Sequence, residues 1–184
     1  MRAVAVVTLF LAMPLLVVAQ EKAEDKGTVV VKIGKLTATA PADWAKEKPD
    51  NLLRSYQFKL PGAEDFPAPV LAIFPESHPS PEKNFPKWKA QFIPPEGKTI
   101  DDISKTGKWE VKGATVNYLD VTGTWKYKER PQDPKSKEMI LDDYRVVWVI
   151  VAEKDEATHL RLSGPAPSVA KSYKSFEAFV KSLK

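Results

Sequence analysis

The sequence predicts an α+β fold in which a mainly antiparallel sheet is flanked by helices on both faces. Patterns typical of strands occur along most of the chain, whereas helical periodicity occurs in only two segments, one between strands and one at the carboxyl end. Two strand patterns, residues 70–74 and 146–152, are continuously apolar, which is typical of strands covered on both faces. Together these observations predict one domain over residues 28–184.

The first 19 residues of the 184-residue chain are predicted to be a cleavable signal peptide. Arg2 supplies a positive charge, residues 3–18 are almost wholly apolar, and the small side chain of Ala19 suits cleavage after it. The alternative, a transmembrane anchor, needs roughly 20 apolar residues, and this run is shorter. We therefore expect an exported protein, periplasmic or secreted, with no membrane span after cleavage and a disordered lead-in over residues 20–27.

The composition excludes several kinds of site. The chain has no cysteine, so disulfides, thiol catalysis, zinc–thiolate sites, iron–sulfur clusters and a lipid anchor on cysteine are excluded. Its formal net charge of +4 comes from 28 basic and 24 acidic side chains that are interspersed along the chain, whereas a nucleic-acid binder needs a concentrated basic face. We therefore expect a monomer with no cofactor, no metal and no nucleic-acid partner.

Six further segments carry strand patterns, and they are residues 28–33, 36–40, 54–60, 103–111, 114–124 and 158–163. The first two flank the turn Gly34-Lys35, and the fourth and fifth flank Lys112-Gly113, so each of these pairs predicts a hairpin. Within residues 114–124 the apolar phase shifts between Tyr118 and Leu119. This shift indicates a β-bulge or burial on both faces.

The first helix is predicted to begin after Ser80, since a serine N-cap followed by Pro81 is typical of a helix start. Apolar residues then recur at helical spacing as far as Phe92. Pro86, inside the first two turns, favours a later start.

The second helix is predicted over residues 168–183, with Ser168 as its cap. One apolar stripe runs along it at helical spacing, and it consists of Val169, Tyr173, Phe176, Val180 and Leu183. A stripe of this kind predicts a helix that packs on the sheet.

Five short motifs stand out along the chain, and they are Pro41-Ala42-Asp43-Trp44, Gln57-Phe58-Lys59-Leu60-Pro61, Trp88-Lys89-Ala90-Gln91-Phe92, Gly123-Thr124-Trp125 and the ending at residues 176–183. With them the chain resembles small uncharacterised secreted bacterial proteins and the PsbP and Mog1-like fold group. The resemblance implies an antiparallel sheet sandwiched between helices. Within that group PsbP is an accessory subunit of the photosynthetic oxygen-evolving complex and Mog1 binds a nuclear GTPase, so the resemblance also implies an accessory or partner-binding role.

Two histidines are the candidates for acid–base chemistry. His78 lies in a proline-rich loop, and His159 lies in a strand pattern beside Arg161. A histidine acts as a base when a carboxylate orients it, and Glu76 is near His78 in sequence. No G-x-S-x-G nucleophile motif accompanies either histidine, so ordinary loop and strand histidines are the favoured interpretation.

Carboxylates occur as adjacent pairs at Asp101-Asp102 and Asp142-Asp143. Neighbouring residues on an extended chain point in opposite directions, and neither pair has the spaced ligands of a calcium loop. We therefore interpret them as strand-end and turn residues and predict no metal site.

The segment 126–143 is predicted to be a long loop, because it lacks clear periodicity and contains two X-Pro steps. Loops of this length are usually functional or disordered. Although tryptophans are favoured as core residues, Trp125 and Tyr127 share one face beside this loop. They define a candidate binding groove together with Arg130, although a solvated hairpin insertion is the favoured interpretation.

These observations favour an exported, non-catalytic binding, accessory or assembly module whose partner is an unknown protein or envelope component. Two alternatives stay open. One is a periplasmic hydrolase that uses His78 or His159, and the other is a carrier of a small apolar ligand with the 126–143 loop as its lid.

Overall fold

The computed structural model of the chain describes residues 28–129, 133–154 and 156–184, and of Glu76 only the backbone. The predicted signal peptide and lead-in lie outside these residues. The strands are β1 (Val30–Ile33), β2 (Leu36–Thr39), β3 (Ala45–Glu47), β4 (Tyr56–Lys59), β5 (Val70–Ser77), β6 (Phe92–Ile93), β7 (Ser104–Val111), β8 (Ala114–Lys128), β9 (Glu138–Ala152) and β10 (Ala157–Pro165). The helices are α1 (Pro81–Lys89), α2 (Ala166–Lys181) and a 3₁₀ turn at Asp101–Ile103.

Eight of these strands form one antiparallel sheet in the order β3-β4-β5-β10-β9-β8-β6, and β7 pairs with a separate stretch of β8. The strands β1 and β2 form a hairpin of their own, with Val31 opposite Ala38. Because β9 lies between β10 and β8, its apolar run over residues 146–152 is central, as the sequence predicts. The predicted α+β class with a mainly antiparallel sheet is confirmed.

One face of the sheet packs against α2 and the β1–β2 hairpin. Alternate residues of the central strands point to this side, and the buried core there includes Leu71, Ile73, Val147, Val149, Leu160, Leu162, Val169, Phe176, Phe179 and Val180. The carboxyl end is fixed to the hairpin by two backbone hydrogen bonds between Thr37 and Lys184, at 2.9 and 3.1 Å. The predicted apolar stripe of the second helix therefore packs on the sheet.

The opposite face carries a smaller core under α1. Its buried members are Phe92, Leu119, Val121, Trp125, Val146 and Trp148, and Phe85 and Trp88 pack against them. Successive residues of β9, such as Val146 and Val147, thus belong to different cores. The two helices lie on opposite faces of the sheet, as expected from the continuous apolar runs.

Helix α1 begins where the sequence places it. The Ser80 hydroxyl accepts a hydrogen bond from the Lys83 backbone N–H at 3.3 Å, and Pro81 occupies the first helical position. The expected delay at Pro86 is absent. Asn84 Nδ2 donates to the carbonyl oxygens of Ser80 and His78, at 3.0 and 2.8 Å, and these bonds reinforce the first turn.

The second helix starts two residues earlier than predicted, and Ser168 is not its cap. The flanking position is Pro165, which supplies no side-chain capping bond. Since Ser168 is already inside the first turn, its hydroxyl accepts a hydrogen bond from the Ala63 backbone N–H at 3.0 Å. The serine therefore joins the helix to the loop after β4 instead of capping the helix.

The predicted loop over residues 126–143 is wrong at both ends, where the structure has the hairpin insertion that the sequence favours. Strand β8 continues to Lys128, β9 begins at Glu138, and these two residues pair. We call residues 124–128 and 138–142 the arm, because this ribbon continues past the end of β10. The described ends of this segment are therefore paired strands.

A β-bulge is present, but it lies further along β8 than the sequence suggests. Thr124 faces two residues, Asp142 and Asp143, so the register shifts between Gly123 and Trp125. Asp143 adopts a φ of 52°, in the left-handed region. At the predicted position, between Tyr118 and Leu119, Leu119 is buried in the core under α1, whereas Tyr118 packs against the core on the other face. Burial on both faces explains the phase shift there.

Candidate functional site

An open groove of about 410 Å³ lies on the α1 face of the sheet. Its floor is formed by β5, β9 and β10, one wall by the end of α1, and the other wall by the arm. The residues that line it are Phe74, Ser77, Trp88, Ala90, Gln91, Trp125, Lys126, Tyr127, Lys128, Glu138, Trp148, His159 and Arg161. This volume is in the range of small-molecule sites.

Aromatic rings form most of the apolar surface of the groove. Trp88 of α1 stacks on Trp148 of β9 with centroids 5.4 Å apart and planes 7° from parallel. On the arm, the rings of Trp125 and Tyr127 lie 4.7 Å apart. These two arm residues have the alternation of a strand, so both point to the groove side. The flat walls are suited to a flat apolar ligand.

The connection from α1 to the sheet holds the two walls together. Gln91 follows the helix directly, and its Oε1 accepts a hydrogen bond from Trp125 Nε1 at 3.1 Å. Its backbone carbonyl accepts from the Lys126 N–H at 2.7 Å. Phe92 then pairs with Trp125 as strand β6. Because three contacts join the same two segments, the separation of the walls is fixed by the fold.

Arg161 of β10 lies at the base of the groove without an anionic partner among the described side chains. Its guanidinium carbon is 5.4 Å from the ring centroid of Trp125, 5.8 Å from that of Tyr127 and 5.6 Å from that of Phe74. Its Nε is buried and has no hydrogen-bond acceptor. Among the described side chains, no carboxylate forms an ion pair with it. A half-buried charge without a partner is uncommon, since charges removed from water are normally paired.

Burial lowers the pKa of Arg161 to about 10; the nearby charge of Arg54 also lowers it, while Tyr127 acts in the opposite direction. At neutral pH the guanidinium is still protonated. The site therefore carries a full positive charge that is poorly solvated by water and lies beside aromatic surface.

A second guanidinium, that of Arg54, also lies near the Phe74 ring, 5.8 Å from its centroid. Its side chain is only 4% exposed, but its charge is compensated by Asp50 at 2.7 Å and it also donates to Gln57 Oε1. The charge of Arg54 near Phe74 is therefore balanced, whereas Arg161 has no counter-ion among the described side chains.

His159 lies at the edge of the groove in a structural setting. Its Nε2 donates to the backbone carbonyl of His78 at 2.8 Å, and the edge of its ring meets Trp88 with centroids 5.1 Å apart. Burial lowers the pKa of His159, so the imidazole is neutral at neutral pH. His78 Nδ1 in turn accepts from the Ser80 N–H at 3.1 Å. No described carboxylate contacts either ring, and the hydrolase alternative gains no support from them.

The two aspartate pairs have local roles. Asp101 forms an ion pair with Lys89 at 2.6 Å, and Asp102 accepts hydrogen bonds from Thr99, which lower its pKa. Asp142 accepts from the Thr124 hydroxyl at 2.8 Å. No cluster of three potential metal ligands occurs among the described residues. Neither described helix has the length and hydropathy that a bilayer crossing requires.

The structure brings two of the three predicted groove residues together. Trp125 and Tyr127 line the groove, and Arg130 lies outside the described residues. The sequence reasoning missed Arg161 and Trp88, which it assigned to a strand and to the core. A usable signal was present for Arg161, because a charged residue between Leu160 and Leu162 in a strand pattern is flanked by apolar positions.

Comparisons with known proteins concern the fold. No protein-family model matches the chain, and no curated protein matches it. Among solved structures, the chain is similar to PA94, a protein of unknown function from Pseudomonas aeruginosa, with a TM-score of 0.48 and 10% identity over 85% of this chain and 96% of that one. It is also similar to cyanobacterial PsbP (CyanoP) from Synechocystis sp. PCC 6803, with a TM-score of 0.45 and 8% identity over 81% and 85%. A PsbP is thus among the proteins that this chain resembles in fold, as the sequence predicts.

Proposed function

We propose that this chain is an exported, non-catalytic binding module that holds a small organic ligand in the groove between α1 and the arm. The observation that carries the proposal is the groove itself, because it is open, lined by aromatic rings and held at a fixed width by Gln91. Pockets with apolar walls and a few polar groups are typical of small-molecule sites. The apolar-ligand carrier thus keeps its support as one form of this function.

The five tryptophans of the chain supply an internal test of this proposal. Trp88, Trp125 and Trp148 line the groove, whereas Trp44 and Trp109 belong to the core on the α2 face. With ¹⁵N-labelled protein, we expect flat aromatic probes such as indole-3-acetate and indole-3-acetamide to shift the indole N–H signals of the first three. The signals of the other two should stay in place, with assignments made by single Trp→Phe variants.

A matched pair of variants locates the binding. Tyr127→Ala removes part of a groove wall and should weaken the binding of any probe that occupies the groove. The control Tyr56→Ala removes a half-buried ring from β4, outside the groove, and should leave probe binding unchanged. If no probe shifts the groove tryptophans, or if all five tryptophans shift together, the proposal is wrong.

Export is a second part of the proposal and rests on the composition of residues 1–19. When the full sequence is expressed in a bacterium, we expect the mature protein to begin at Gln20. Intact-mass measurement of the purified protein decides this. A product that still carries the first 19 residues contradicts export by cleavage.

A further inference from the structure

The guanidinium of Arg161 defines the chemical class of the ligand. Resting on the proposed binding function, we propose that the groove takes a small organic anion with a flat apolar body, its carboxylate paired with Arg161 and its body against the aromatic walls.

The first argument is the missing counter-ion. A charged group that is removed from water needs a hydrogen-bonding partner of opposite charge. Arg54 and Arg145 both have one, since Asp50 lies 2.7 Å from Arg54 and Asp120 lies 2.6 Å from Arg145. Arg161 has none among the described side chains, and its Nε, like that of Arg54, lacks an acceptor. The unpaired charge of Arg161 and its free Nε–H therefore match what a bound carboxylate supplies.

The second argument is the position of this cation. Arg161 is itself a lining residue of the groove, so its unpaired charge adjoins a space large enough for a ligand. Aromatic rings lie within 6 Å of it, namely those of Phe74, Trp125 and Tyr127. A fork of N–H donors next to flat apolar surface recognises a planar carboxylate that is attached to an aromatic or alicyclic body.

The third argument is the charge balance around the groove. Lys126, Lys128 and Arg161 line it, and among its described lining residues Glu138 is the one with a carboxylate. That carboxylate lies 3.8 Å from Lys128 Nζ. The potential in the groove therefore favours an anion over a neutral or cationic ligand.

The test compares probes that differ in charge but hardly in shape. We expect indole-3-acetate to bind about 10- to 100-fold more tightly than indole-3-acetamide, the range of a charge-assisted pair in a partly buried site. 2-Naphthoate and 2-naphthamide form a second pair with a larger body. Affinities are measured by titration of the groove tryptophan N–H signals.

Substitution of Arg161 then tests whether this residue causes the preference for the acid over the amide. Arg161→Met removes the charge at similar length and should abolish the difference between acid and amide, whereas Arg161→Lys should retain part of it. The matched control is Lys46→Met, because Lys46 lies 5.7 Å from the Tyr56 ring centroid, a cation–aromatic contact outside the groove. This control should leave both affinities unchanged.

The outcomes separate the two proposals. If acid and amide bind equally and Arg161→Met affects them equally, the groove binds small molecules and the anion inference is wrong. If neither member of either pair shifts Trp88, Trp125 or Trp148, the proposed binding function itself fails. If the preference for the acid persists in Arg161→Met, the anion is recognised elsewhere and the assignment to Arg161 is overturned.

Discussion

Replacing Phe176 by Ala is expected to lower the free energy of unfolding by about 3–5 kcal/mol, the usual cost of emptying a fully buried aromatic position. Phe176 is 0% exposed and lies on the face of α2 that packs on the sheet. Its ring meets that of Trp109 edge-on at 6.2 Å, so the substitution removes an aromatic contact as well as buried area. Urea denaturation of the folded domain measures the change.

Two controls keep this result specific to packing. Phe176→Leu retains an apolar side chain and should cost clearly less than Phe176→Ala. Lys174→Ala changes an exposed position of the same helix and should stay within about 0.5 kcal/mol of the wild type. A loss below about 1 kcal/mol for Phe176→Ala contradicts the placement of this side chain in the core.

The fold was predictable where the sequence has a clear period. The apolar residues of α2 recur at helical spacing. The apolar run over residues 146–152 marks the strand whose side chains are buried on both faces of the sheet. Both signals depend on burial, which selects side chains along the whole element. Short elements such as β3 and β6 carry too few residues to show a period, and they went unseen.

The arm was missed for a different physical reason. Residues such as Met139 and Ile140 are both exposed, at 47% and 53%, although neighbours on a strand point to opposite sides. Neither side of this part of the ribbon is buried, so burial imposes no alternation on its sequence. Backbone pairing alone defines the element, and pairing leaves no trace in side-chain polarity.

Two of the residues that line the groove could be inferred from the sequence, and the others could not. Trp125 and Tyr127 are two residues apart on one strand, so a shared face follows from the period alone. Trp88, Arg161 and Phe74 reach the same place from three other elements. Their meeting depends on the order of β5, β10 and β9 in the sheet and on the crossing of α1. A single sequence does not contain that order.

The same substitution at two arginines should change stability in opposite directions. Arg145 on β9 donates to Asp120 on β8 through Nε at 2.9 Å and Nη2 at 2.6 Å, and its guanidinium lies 4.4 Å from the Tyr173 ring centroid. The hydrogen bonds that Arg145 donates to Asp120 raise the pKa of Arg145. Arg145→Met leaves the nearly buried Asp120 carboxylate without its partner, and we expect a loss of about 2–3 kcal/mol.

Arg161→Met should instead stabilise the ligand-free protein by about 1 kcal/mol, because it removes a partly desolvated charge that no described side chain neutralises. The sign follows from the pKa of Arg161, which burial lowers to about 10. A lowered pKa means that the folded state disfavours the charged form, so the charge reduces stability at every pH below about 10 and the penalty fades as the pH rises through that value. The lost contacts with Trp125 and Tyr127 offset part of the gain.

Urea denaturation of the two variants at pH 7 and low salt measures both effects, with the double variant Asp120→Asn/Arg145→Met as control. Since asparagine carries no charge, the double variant should be more stable than Arg145→Met alone. A loss above about 0.5 kcal/mol for Arg161→Met would show that its contacts with the rings outweigh the cost of its unpaired charge. That result would also remove the main reason to expect a carboxylate in the groove, because the guanidinium would already be satisfied without a ligand.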